Sequence, residues 1–133
     1  MKLLLDTHIL LWSVLEPKKL SEKVSSELSN STNELWLSPI TTWEILVLAN
    51  KNRIQLNKNN PSEWIKKIYS KIPFKEAPIN HEIAIRSQLV ELPHQDPADR
   101  FLVSTALIHN LTLVTADQII ISSNQVSVLP NKS

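Results

Sequence analysis

Not one of the 133 residues is a glycine. Where the backbone must pass through the left-handed region, the position therefore falls mostly to Asn or Asp, the next most tolerant residues. Asn30, Asn50, Asn52, Asn80 and Asn110 all stand where helix ends or turns are expected. Asn110 in particular is expected to end its helix in the left-handed conformation that glycine commonly takes there. The same absence excludes a glycine-rich phosphate loop of the Walker or Rossmann kind. Cysteine is absent too, which removes disulfides, thiolate zinc sites and cysteine nucleophiles.

Within that constraint, strand-like and helix-like segments alternate. Lys2–Leu5 reads as a buried strand and Thr7–Leu15 as the helix after it. Ser21 is placed to N-cap a second helix reaching residue 28. Glu34–Leu37 is a second strand, and Ser38 or Thr41 starts the helix that carries Glu44. Pro61 suits the first turn of a helix with Trp64, Ile65 and Ile68. A weak strand at 77–79 precedes a helix over 81–92, Pro97 opens another that stops at Asn110, and strands follow at 111–115 and 126–129. This alternation predicts an α/β fold, a single domain over residues 1–133, with a mostly parallel central sheet and helices on both faces. No apolar run approaches the roughly 18 residues a spanning helix needs. The leucine run that stops at Asp6 is too short for a signal peptide, so a cytoplasmic protein is expected.

Two helices carry more apolar surface than one buried stripe requires, since a surface helix buries about 100° of its circumference. Ile9, Leu10, Leu11, Trp12, Val14 and Leu15 nearly encircle the first, and Trp43, Ile45, Leu46, Val47 and Leu48 crowd around Glu44. Either a partner covers the surplus or the domain itself does. Charge is also uneven. The net +1 conceals a +6 balance over residues 51–75, between segments of −2 and −3. Such a basic stretch, with Lys51, Arg53, Lys66 and Lys67 as its candidate RNA contacts, suits a protein that attracts phosphate. A solvated helix face is the plainer reading.

The chemistry lies in the acids. Asp6 ends the Leu3-Leu4-Leu5 run, Glu44 lies inside an apolar helix, Asp96 and Asp99 frame Asp96-Pro97-Ala98-Asp99-Arg100, and Asp117 closes Leu113-Val114-Thr115-Ala116-Asp117. At the carboxyl ends of parallel strands such residues converge on one crevice. Gathered carboxylates repel unless protons or cations neutralise them, and Mg2+ or Mn2+ takes oxygen ligands. Each acid has a structural alternative. Asp6 and Asp96 are good N-caps, Asp99 suits a helix N-terminus, and Asp117 suits a turn. Thr7 and Thr115 either orient neighbouring carboxylates or cap locally. His8 reads first as a core or capping histidine, and second as a substrate contact.

As an ordered set, these motifs resemble the PIN-domain ribonucleases, in particular the toxins of VapC-type toxin–antitoxin pairs. The resemblance runs from Leu3-Leu4-Leu5-Asp6-Thr7-His8, with Leu11-Trp12, through Trp43-Glu44-Ile45 and His94-Gln95-Asp96-Pro97-Ala98-Asp99-Arg100 to Leu111–Asp117. It implies that Asp6, Glu44 and Asp99 hold a catalytic Mg2+ or Mn2+, that Asp117 completes the pocket, and that Asp96 is mainly structural. It further implies an endoribonuclease toxin that hydrolyses RNA with water, forms a homodimer, and is neutralised by a small antitoxin covering the first helix or reaching into the pocket. Two scaffold departures stand out: Asn50-Lys51-Asn52-Arg53 where relatives often have a glycine, and Val103-Ser104 where they have Ile-Ala.

Other classes fit less well. A structure-specific DNA nuclease would share the acidic pocket, and a catalytically inactive binding module would keep the fold. A phosphoacceptor domain needs a Lys after a late strand, but none occurs between Lys75 and Lys132. A haloacid-type phosphatase needs Asp-x-Asp-x-Thr after the first strand, where this chain reads Asp6-Thr7-His8.

Overall fold

The computed structural model describes residues 1–56, 60–93 and 96–132; Lys58 of the basic stretch and His94-Gln95 of the acidic motif lie outside them. Five strands, β1 (Lys2–Leu5), β2 (Glu34–Leu37), β3 (Phe74–Glu76), β4 (Thr112–Thr115) and β5 (Val128–Pro130), form one sheet in the order β3-β2-β1-β4-β5. All four pairings are parallel. The helices are α1 (Thr7–Leu15), α2 (Glu22–Ser29), α3 (Pro39–Asn50), α4 (Pro61–Lys71), α5 (His81–Ser87), α6 (Pro97–His109) and α7 (Gln118–Ser123), with a 3-10 turn at Pro17–Lys19. None of the described helices is long and apolar enough to cross a membrane.

Side chains alternate across a strand, so each strand serves two layers. Leu3, Leu5, Leu37 and Val114 pack with Ile9 and Leu10 of α1, Val24 of α2, Ile45 of α3 and Trp64 of α4. Leu4 and Leu113 face the other way, onto Leu102, Val103 and Ala106 of α6 and Ile120 of α7. The apolar surplus of α1 is largely absorbed within the domain, because Trp12, Val14 and Leu15 pack against this same core alongside Leu48, Ile54 and Leu56. On α3 it is not: Trp43 is 55% exposed.

The missing glycines are replaced at particular points. Asn52, Asn110 and Asn124 all have φ 55°. After Asn110, the Leu111 N–H donates to Ala106 O (2.8 Å), and after Asn52 the Arg53 N–H donates to Leu48 O (2.9 Å). These are the closing bonds of Schellman turns, with asparagine in the usual glycine position. The other asparagines act differently: Asn30 (φ −78°) and Asn80 (φ −114°) flank helices in extended conformations, and Asn50 lies in the last turn of α3.

Several boundaries depart from expectation. The third strand is Phe74–Glu76, not 77–79: Ala77 N–H still donates to Leu37 O (2.8 Å), but Pro78 has no N–H with which to continue. α5 stops at Ser87 instead of 92. The Arg100 guanidinium takes the Ser87 and Val90 carbonyls (2.9 and 2.8 Å), and Gln125 accepts from the Glu91 N–H (3.2 Å), so groups that would extend the helix are spent elsewhere. The last strand is Val128–Pro130 rather than 126–129. α7 was not anticipated from the sequence: Ile119-Ile120-Ile121 favours strand, yet Asp117 caps it as a helix and Ile120 is buried.

Candidate active site

The chain builds β1, β2 and β3 outward to one side, then crosses over to lay β4 on the other flank of β1. Strand order therefore reverses between β1 and β4, and the crevice outside their carboxyl ends is where open α/β sheets bind ligands. Asp6 leaves β1 and Asp117 follows β4 at this point. α3 delivers Glu44, and the start of α6 delivers Asp96 and Asp99. All five carboxylates line one cavity of about 330 Å3, together with His8, Trp12 and Ala116.

The acids are not equivalent. Asp6, only 8% exposed, makes no side-chain cap bond to α1. Instead the Thr115 hydroxyl donates to its Oδ2 at 2.6 Å, and the same hydroxyl accepts the Asp117 N–H at 3.0 Å. One buried side chain thus ties the acids of two adjacent strands together. Thr7, also buried, donates its hydroxyl to Thr41 Oγ1 (3.5 Å) on the helix that carries Glu44. Thr115 therefore contacts an acid directly, whereas Thr7 bonds a neighbouring threonine. Asp96 and Asp117 are helix caps as well as cavity walls: Asp96 Oδ1 accepts from Ala98 and Asp99 N–H (2.9 and 3.5 Å), and Asp117 Oδ1 from Ile119 and Ile120 N–H (2.8 and 3.2 Å).

The electrostatics follow from this crowding. Burial pushes Asp6 above the usual carboxylate range, with the Thr115 bond opposing it. Glu44 is raised by burial, against the nearby Thr7 hydroxyl and with help from the charges of Asp6 and Asp96. Asp99 is pushed from 3.8 up to about 8, first by burial and then by repulsion from Asp6, Asp96, Asp117 and Glu44. At neutral pH it keeps its proton unless a cation takes the proton's place. The donors are all oxygen, as Mg2+ and Mn2+ require. Among the described residues no three acids or histidines form a ready-made ligand set. The five carboxylates of the lining are of the donor type that a hard divalent cation takes.

His8 is neither core nor cap: it is exposed at the cavity rim, its ring 5.8 Å from that of Trp12. Trp12 is a wall residue that the sequence marks as part of a motif and of the apolar surplus of α1; its spacing of four from His8 was the signal for a place at the site. Lys66 and Lys67 are exposed on α4 and Lys51 at the end of α3, and none of them lines the cavity. Arg53 lines an adjoining groove.

Residues 3–122 match the family model described as PIN domain. The chain belongs to the PIN-domain family. It is similar to Ribonuclease VapC22 of Mycobacterium tuberculosis (strain ATCC 25618 / H37Rv), with 33% identity over 118 residues, 86% of each chain. In shape it is similar to a chain in the crystal structure of VapBC2 from Rickettsia felis bound to a promoter DNA fragment (TM-score 0.73, 16% identity, 99% of this chain and 100% of that one). A toxin–antitoxin complex from Klebsiella pneumoniae has a similar chain (TM-score 0.65, 23% identity, 98% of each). In this PIN domain the two scaffold departures now have local explanations. Asn52 adopts the left-handed turn itself, and the buried Ser104 hydroxyl donates to Ile83 O (2.7 Å), fastening α6 to α5.

Proposed function

We propose that this PIN domain is a Mg2+- or Mn2+-dependent endoribonuclease that acts as a growth-inhibiting toxin. The observation that carries the reading is the convergence of five carboxylates on one cavity, with Asp99 raised to about 8. Asp6, Glu44 and Asp99 would hold the ion, and Asp117 would complete the pocket. When bound, such an ion acidifies water and offsets the charge that builds up on phosphate in the transition state. The chain's own part is positional. Thr115 holds the Asp6 carboxylate and the Asp117 backbone, Thr7 ties the end of β1 to α3 through Thr41, and the two caps fix Asp96 and Asp117. Because water is the nucleophile, RNA is selected by shape and single-strandedness rather than by chemical need for its 2′-hydroxyl.

Two partners belong to the proposal. One is a cognate antitoxin that blocks the cavity from above α1 or from within. The other is a second copy of this chain. Ile85 and Leu89, four residues apart and 66% and 67% exposed, provide an apolar surface suited to a homodimer. Leu89→Asp, which places a charge in this apolar surface, should leave a monomer in light scattering.

Matched RNA and DNA strands with added Mn2+ test the activity. Cleavage of RNA by the wild type, lost in folded Asp99→Asn, is expected. DNA cut at an equal rate would move the protein to the DNA-nuclease class, and cutting of neither would leave a binding module.

A further inference from the structure

A second groove opens directly off the acid cavity. Its volume is about 500 Å3, and it shares His8 and Trp12 with the cavity. Leu15 and Ile54 contribute to its apolar floor, and Lys19 and Arg53 stand along its walls. The Schellman turn at Asn52 produces it, since it reverses the chain after α3 and brings residues 53–55 back against α1.

The side chains are arranged unlike those of an ordinary surface. His8 and Trp12 present a pair of rings at 5.8 Å and 51°, with His8 exposed. Lys19 sits 5.7 Å above the Trp12 ring and 3.2 Å from Glu16, which balances its charge. Arg53 is exposed and makes no ion pair among the described residues. An unneutralised guanidinium, a second cation and an aromatic pair in one track are the elements of a single-strand nucleic-acid channel: cations follow the backbone and rings stack bases. A track continuous with the acids would hold the nucleotides next to the phosphate under attack.

We propose that the groove between α1 and residues 53–55 binds the single-stranded RNA segment flanking the scissile phosphate. Arg53 and Lys19 take its phosphates, and the His8–Trp12 rings take a base. This rests on the ribonuclease reading and adds to it a substrate path distinct from the basic face of α4. An antitoxin lying over α1 would then inhibit by occupying the path of the substrate.

The test uses a short single-stranded oligoribonucleotide, followed by fluorescence anisotropy across a salt series, in the cleavage-dead Asp99→Asn background. Arg53→Gln with Lys19→Gln should weaken binding and lower the log–log salt slope, by about 0.7 for the phosphate on Arg53 and by less for Lys19, whose charge Glu16 shares. Arg53→Lys with Lys19→Arg should restore the slope, since neutralising a phosphate needs charge rather than one side-chain shape. His8→Ala should weaken binding without altering the slope, the mark of lost stacking. Unchanged affinity and slope in the charge-removing pair would overturn the proposal, and so would a loss confined to antitoxin binding. Failure of the ribonuclease reading looks different: the otherwise wild-type protein would cut no RNA with Mn2+, whatever the groove variants bind.

Discussion

Carboxylates at the two ends of the sheet are treated in opposite ways. Near the start of β2, Glu34 accepts from the Trp36 indole N–H (3.1 Å) and pairs with Lys75 (3.3 Å), and these contacts, the indole first, hold its pKa below the usual value. At the carboxyl ends of β1 and β4, burial raises Asp6, Glu44 and Asp99, and the acids repel one another. Among the described residues, the cavity lining includes no Lys or Arg. Carboxylates with raised pKa values, concentrated at one end of the sheet, are the pattern expected of a functional site.

The contrast can be broken by mutation. The largest effect is expected from Asp6→Asn, which keeps the volume and an acceptor for Thr115. RNA cleavage at saturating Mn2+ should fall by roughly a hundred- to a thousand-fold, on the scale of losing a charge-stabilising group, while circular dichroism stays native. Retained cleavage would remove Asp6 from the ligand set. Next comes Thr115→Val, which deletes the hydroxyl joining Asp6 to Asp117. A loss of about 10- to 100-fold in metal affinity or activity is typical for outer groups of this kind, and a metal titration of the cleavage rate would separate the two.

Thermal unfolding of the metal-free protein across pH tests the electrostatics without catalysis. Asp99 ionises near 3.8 when unfolded and near 8 when folded. Between these values the native state retains a proton that the unfolded state has lost, so stability should decline as pH rises from about 4 to 8. Asp99→Asn should flatten this decline and raise the midpoint at neutral pH, and Mg2+ should raise the midpoint of the wild type. A midpoint that instead climbs through this window would place Asp99 in a neutralised setting like that of Glu34. The smallest effect belongs to Glu34→Gln, which removes an exposed pair. Its activity should match the wild type, with a midpoint shifted only slightly, and only above the pH at which Glu34 ionises.

How far the sequence could be read depended on whether a feature was local. Strand and helix placement near Asp6 and Glu44, the caps at Ser21 and Asp96, and the left-handed Asn110 all depend on neighbouring residues. They were legible, and so was the meeting of the acids. What escaped is long-range. α5 ends early because of Arg100, thirteen residues downstream of Ser87. β3 is a short edge strand in which two of three residues are charged, so no alternation marked it. His8 reads first as a core or capping histidine, but the helix turns it outward to the rim. The groove beside it needed the reversal at Asn52 to exist at all.

The bond from Thr115 to Asp6 spans 109 positions of the chain. During synthesis β1 and α3 emerge early, carrying Asp6 and Glu44, while Asp99 and Asp117 follow much later. No fragment ending before β4 can assemble the cavity, because β4 pairs with β1 and brings the last acid with it. A ribosome making this protein therefore handles a polypeptide without a complete acid site until residue 117 has been translated.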